Sequence, residues 1–263
     1  MSNHGLPMEG ERSSFSSRRW DVRYDQGRNH RAKIGFILIP NEQTIEGDMI
    51  EWAPDGVGVY FSRAVMPHEI STESLSQCRA TLADSARRIL PDDGLDVVCF
   101  ACTSGSVAIG EEKTLQELNK AQPGAKATSL VSGVRRALNA VDARKIAVGT
   151  PYLDELNRNM AAYFEGQGFE VANLQGLNLQ YDRDMIRVAP DYLVEFAKAV
   201  DVPEADTFVM SCGALRTIEV VDEIEQALAK PVIASNQAML WDCLRLAGID
   251  DKLPGLGILF RDH

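Results

Sequence analysis

The sequence predicts an α/β fold: two similar parallel-sheet lobes, related by duplication, facing each other across a cleft. Three observations predict it. Short apolar runs alternate with helical patterns through residues 33–130 and again through 131–263. Several runs are apolar without alternation, as in Ile34-Gly-Phe-Ile-Leu-Ile39, the mark of a strand covered on both faces. Corresponding features recur at an offset of roughly 105–112 residues, so a whole half is repeated.

The elements follow in order. Residues 1–32 read as a flexible polar arm, in which Trp20, Val22 and Tyr24 are candidates to dock on a partner subunit. The first lobe is expected over 33–130. It opens with strand 34–39 and a short helix over 44–52, followed by strand 57–61. Ser71 and Thr72 can cap a helix whose Leu75, Cys78, Leu82, Ala86 and Ile89 fall at helical spacing, and Pro91 and Gly94 end it. A strand over 95–101, a helix over about 105–120 and a short strand over 125–130 complete the lobe. The second lobe, 131–263, repeats these strands at 145–150, 169–174, 206–211 and 231–235, with helices at 153–167, 191–200, 215–228 and 238–247. Its C-terminal segment is free to pack back on the first lobe. Alternation of this kind gives parallel sheets with right-handed crossovers.

Ligands of such sheets sit at the carboxyl ends of the strands. Those ends carry Pro40-Asn41, Cys102-Thr103-Ser104, Pro151-Tyr152, Cys212-Gly213 and Ser235-Asn236. Two of them say nearly the same thing. In Asp96-Val-Val-Cys-Phe-Ala-Cys102 and Asp206-Thr-Phe-Val-Met-Ser-Cys212, an aspartate opens the strand and a cysteine closes it. A cysteine at a helix N-terminus is thiolate-prone, and both positions are expected to be of that kind. The adjacent N–H groups, with the Thr103 and Ser104 hydroxyls, would cradle a carboxylate. Two thiols on opposite sides of a carboxylate suit proton transfer: one removes the α-proton and the other returns a proton to the opposite face. A variant uses one thiolate as a nucleophile on a carbon–carbon double bond. Neither route needs a metal or an organic cofactor. Tyr152 reads equally as a turn aromatic and as a substrate-facing hydroxyl. Asn41, Glu42 and Gln43 read as helix caps, one of them free to hold a substrate carboxylate.

Composition narrows the class. The formal net charge of −11 disfavours nucleic acid and anionic membranes as partners, but not a small carboxylate substrate. No apolar run approaches the roughly 18–20 residues of a membrane span, and residues 1–32 lack a signal-peptide core, so a cytoplasmic location is expected. Five cysteines, an odd number, fit reduced thiols. Cys78 and Cys243 lie on apolar helical faces and read as core. Cys99-x-x-Cys102 lies within a strand and has no second pair, which argues against zinc or thioredoxin chemistry. His4, His30, His68 and His263 have no metal-ligand spacing, and no G-x-G-x-x-G or Walker pattern supports a nucleotide.

With these residues in view, the chain from Lys33 onward resembles the aspartate/glutamate racemase superfamily, in its maleate isomerase and arylmalonate decarboxylase branch. Thr150-Pro-Tyr-Leu-Asp-Glu-Leu-Asn157, Ser211-Cys-Gly-Ala214 and Pro231-Val-Ile-Ala-Ser-Asn-Gln-Ala238 carry the resemblance. Pro40-Asn-Glu-Gln-Thr-Ile-Glu46, Cys102-Thr-Ser-Gly-Ser106, Gln175-Gly-Leu-Asn178 and Leu259-Phe-Arg-Asp-His263 look most like the ectoine and hydroxyectoine utilisation proteins within it. The resemblance implies catalytic cysteines at Cys102 and Cys212. It also implies a carboxylate cradle from Thr103, Ser104, Tyr152 and Gly213. Decarboxylases of this branch have glycine where this chain has Cys102, which disfavours decarboxylation. Maleate isomerases place an asparagine in the loop after the first strand, where this chain has a shorter Asn41-Glu42-Gln43. A second family asparagine falls on Asp182, where an acid repels a second carboxylate and better meets a cationic group. The expectation is therefore a cofactor-independent racemase or isomerase, with Asn41 and Asp182 as further substrate contacts, working as a homo-oligomer (dimer or tetramer). The rivals are a maleate-type cis–trans isomerase, an arylmalonate-type decarboxylase and a non-catalytic binding protein for small acids.

Overall fold

The computed structural model describes residues 16–67 and 70–263, so part of the expected arm, with His4, and also His68 lie outside the described residues. The first half contains β1 (Ala32–Leu38), α1 (Ile45–Trp52), β2 (Val57–Arg63), α2 (Thr72–Gln77), α3 (Arg79–Arg87), β3 (Val97–Phe100), α4 (Thr103–Ile109), α5 (Glu111–Ala121), β4 (Lys126–Ser129) and α6 (Leu130–Ala140). The second contains β5 (Lys145–Thr150), α7 (Asp154–Gly166), β6 (Glu170–Gly176), α8 (Asp182–Met185), α9 (Pro190–Val200), β7 (Thr207–Met210), a 3-10 helix (Thr217–Val220), α10 (Val221–Leu228), β8 (Val232–Ala234), α11 (Ser235–Leu246) and α12 (Gly257–Asp262).

Two four-stranded parallel sheets result, ordered β2-β1-β3-β4 and β6-β5-β7-β8. The identical order is the duplication made visible. The aspartates that open the two repeated strands have matching jobs. The Asp96 carboxylate accepts the Lys33 N–H at 2.7 Å, and Asp206 accepts those of Arg144 and Lys145 at 3.0 and 2.9 Å. Each ties the start of its strand to the strand beside it. The central strands β3 and β7 are buried along their whole length.

Three of the expected helices differ in the structure, and α6, α8 and α12 fall outside the expected helical ranges. The segment after Ser71 is capped as predicted, with Ser71 and Ser74 bonding reciprocally, but it breaks at Cys78 into α2 and α3. The helix expected over 105–120 breaks at Gly110, whose φ of 93° cannot continue a helix. The helix expected from Leu215 starts only after a turn and the 3-10 segment.

α6 and α11, each following the last strand of its half, pack on each other along the seam between the sheets. Gly133 makes that approach possible, since a Cβ there would lie 3.1 Å from the Ala238 carbonyl oxygen. Arg136 of α6 pairs with the buried Asp242 of α11 at 2.6 Å, and Thr128 donates to the same carboxylate at 2.7 Å. α11 also touches β3 and β4 of the first sheet. Among the described residues no helix is long and apolar enough to cross a membrane.

Candidate active site

Strand β3 delivers Cys102 to the N-cap of α4. Its sulfur accepts the Gly105 N–H at 3.3 Å, and Ser106 Oγ donates to the Cys102 carbonyl at 2.6 Å. Residue 105 is glycine for a steric reason: a Cβ there would lie 2.9 Å from the sulfur. Ser104 Oγ lies 3.9 Å from the same sulfur.

Cys212 follows β7 but does not cap a helix, which corrects the expectation for this residue. Its φ is 152°, in a region that costs a non-glycine residue roughly 1–3 kcal/mol, and no helix can start from that geometry. The chain instead turns through Gly213 and Ala214. The Cys212 N–H donates to Ser235 Oγ at 3.0 Å, and the Ala214 N–H donates to the Cys212 sulfur at 3.4 Å. Thus a backbone N–H still reaches each sulfur, from a helix in one half and a turn in the other.

The loop after β5 brings in Tyr152. The Thr150 hydroxyl accepts the Tyr152 N–H at 3.1 Å and donates to Asn157 Oδ1 at 2.5 Å, and Asn157 Nδ2 donates to the Tyr152 carbonyl at 3.2 Å. This closed ring of bonds explains the spacing of Thr150, Tyr152 and Asn157 in the sequence. It leaves Tyr152 2% exposed, with its hydroxyl beside the Cys212 thiol and Ser104.

Cys102, Thr103 and Ser104 meet Tyr152, Asp182, Cys212 and Gly213 around one cavity at the strand ends. Ile39, Ile45, Ile70 and Met185 supply apolar wall. The space between atoms is about 340 Å³, of which a water-sized sphere reaches about 20 Å³, room for one water. The site is narrow, and its walls must part to admit a substrate.

Asn41 stays outside this cavity. The turn after β1 sends Glu42 inward instead, because its carboxylate caps α1, accepting the N–H of Thr44 at 2.9 and 3.1 Å and of Ile45 at 2.9 Å. Burial pushes the Glu42 carboxyl up to about 7 against those bonds. Burial likewise pushes Asp182 up to about 6. Its Oδ2 atom has no hydrogen-bond partner among the described residues. Among the described residues no lysine or arginine lines the cavity.

The thiols differ from expectation in their protonation. Burial pushes Cys102 well above the ordinary cysteine range and Cys212 up to about 12, outweighing the N–H groups and the Tyr152 bond that pull the other way. The resting site therefore holds two neutral thiols. Chemistry needs a bound group that makes one of them a thiolate.

Two residues were less visible in the sequence. Ser235 shows there only as a strand end, yet its hydroxyl holds the Cys212 N–H and lies 3.4 Å from the Thr103 hydroxyl. Asn236 donates to the Gly213 carbonyl at 2.8 Å and to Asp48 at 2.6 Å. The signal for both was their place immediately after β8.

Known proteins share this frame. The arylmalonate decarboxylase of Bordetella bronchiseptica is 29% identical over 234 residues, covering 87% of this chain and 96% of that protein. The maleate isomerase Iso of Pseudomonas putida S16 superposes with a TM-score of 0.82 at 20% identity, over 88% of this chain and 98% of that one. A Nocardia farcinica maleate cis–trans isomerase, a cysteine-to-serine mutant with a covalently bound succinylcysteine intermediate, gives 0.79 at 23% identity over 88% and 99%. The family model described as arylmalonate decarboxylase matches residues 34–260, and with that span the chain belongs to the arylmalonate decarboxylase family.

Proposed function

We propose that the chain is a cytoplasmic, cofactor-independent isomerase acting beside the carboxylate of a small amino-acid-like compound. In this reading it is a racemase or epimerase that serves ectoine or hydroxyectoine breakdown. The observation that carries the reading is the single cavity lined by both Cys102 and Cys212, one from each repeated half. The N–H groups and hydroxyls around the sulfurs suit a carboxylate, and Thr103, Ser104, Gly213 and Tyr152 are the groups assigned to it. One thiolate takes the α-proton, the electron pair passes into the carboxylate as an enediolate, and the other thiol donates its proton to the opposite face. The thiol and thiolate have then exchanged roles. The ectoine placement rests on the sequence resemblance.

A second reading is cis–trans isomerisation of an enedicarboxylate, favoured by the covalent cysteine adduct of the Nocardia relative. There the thiolate adds to the double bond, the single bond rotates, and the thiolate leaves.

The test is exchange of the α-proton in heavy water, followed by NMR, over ectoine-pathway acids, aspartate and maleate. Cys102→Ser and Cys212→Ser should each abolish racemisation. Wild-type turnover in both variants would remove the mechanism. A mass increase on trapped enzyme with maleate would select the second reading.

A further inference from the structure

We infer that the substrate carries an ammonium group, and that Asp182, backed by Glu42, is its seat. The inference rests on the reading that this cavity is the substrate site, and adds the charge pattern the substrate must have.

The two acids differ in what they have left to offer. Glu42 is 4% exposed, and both its oxygens already accept backbone N–H groups. Asp182 is 5% exposed and lines the same cavity, and its Oδ2 is unpartnered among the described residues. A buried carboxylate oxygen without a donor is costly, and proteins leave few of them. Among the described residues no cationic side chain lines the cavity to satisfy it. In this inference the donor comes from the ligand. An ammonium brings N–H bonds and the charge that two neighbouring acids lack.

The cavity is thus divided. Donors gather round the sulfurs, from Gly105, Ala214 and the hydroxyls, and an acceptor waits at Asp182. A carboxylate and an ammonium on one small molecule match that division. A second carboxylate would face Asp182 directly. Burial raises both thiols most, and the charge of Asp182, with Glu42 at Cys212, raises them further. An ammonium seated there offsets that charge and favours the thiolate. A substrate of this kind helps to activate its own catalyst.

Four probes on one four-carbon chain test this by calorimetry: butanoate, 2-aminobutanoate, 4-aminobutanoate and succinate. At least one amino probe should bind wild-type protein about tenfold more tightly than butanoate, with succinate weakest. Asp182→Asn should erase that preference. Succinate binding as tightly as either amino probe, binding of neither amino probe, or an unchanged preference in Asp182→Asn would overturn the inference. The wild-type comparison stands if the variant does not fold. The preference with no α-proton exchange would sink the catalytic reading and leave this one standing. Exchange without the preference would do the reverse.

Discussion

Ser235 holds Cys212 in place: its hydroxyl accepts the Cys212 N–H at 3.0 Å, at a residue whose φ is 152°. Such a backbone persists only when its surroundings over-determine it. The same hydroxyl lies 3.4 Å from that of Thr103, the residue after Cys102. The first turn of α11 therefore touches the loops of both thiols, and their relative placement depends on one serine.

Replacing Ser235 with alanine leaves the buried Cys212 N–H without a partner, which costs about 1–3 kcal/mol. Urea unfolding should show that loss. Turnover should fall more than apparent substrate affinity, because the cradle stays while the sulfur moves. An equal fall in both would show that Ser235 merely supports the fold.

Much of this arrangement was legible in the sequence, and for a physical reason. The cysteines sit at strand ends, and strand ends are where a parallel sheet exposes its ligands, so apolar runs and their offsets were enough to place Cys102, Cys212 and Tyr152. What stayed hidden depends on chain geometry within a few residues. Helical spacing cannot reveal the break at Gly110, which comes from one positive φ. The turn after Cys212 reads like a helix start until its backbone is seen. Asn41 and Glu42 are neighbours, and only the capping of α1 decides which faces inward. Thiol protonation depends on burial, which residue type alone does not fix.

Gly213 has no room for a side chain. A Cβ would lie 2.7 Å from Ile45 Cδ1 and 3.2 Å from Asn236 Oδ1. Gly213→Ala should displace the turn beside Cys212, costing about 1–3 kcal/mol as overpacking does. Activity should fall at least tenfold. Truncating Ile45 to alanine in the same chain should restore part of it. If the double variant recovers nothing, the clash is not the cause.

Tyr152 steadies the Cys212 thiolate. Its hydroxyl sits beside that sulfur and pulls the thiol down from where burial alone would put it. Tyr152→Phe should raise the Cys212 thiol further, since it removes a group that pulls it down. Alkylation of Cys212 by iodoacetamide, followed by peptide mass spectrometry, should then slow at a fixed pH, because less of the thiol is ionised. A rate that stays level or rises would remove this role.

Glu42 links stability to pH. The carboxyl sits at about 7 in the folded chain against an ordinary 4.5. Between those values the folded state holds a proton that the unfolded state has lost, so stability falls as pH rises. The contribution is fully present below about 4.5 and is lost as pH passes through about 7, by roughly 3 kcal/mol when ionisation is complete. Asp182 and Asp48, each raised to about 6 by burial, push the same way over a lower range. Glutamine at 42 keeps an acceptor for the Thr44 N–H and carries no proton to lose. Glu42→Gln should therefore match wild type in urea unfolding near pH 5 and exceed it near pH 8. A gap between the two proteins that is the same at both pH values would show that Glu42 does not titrate in this range.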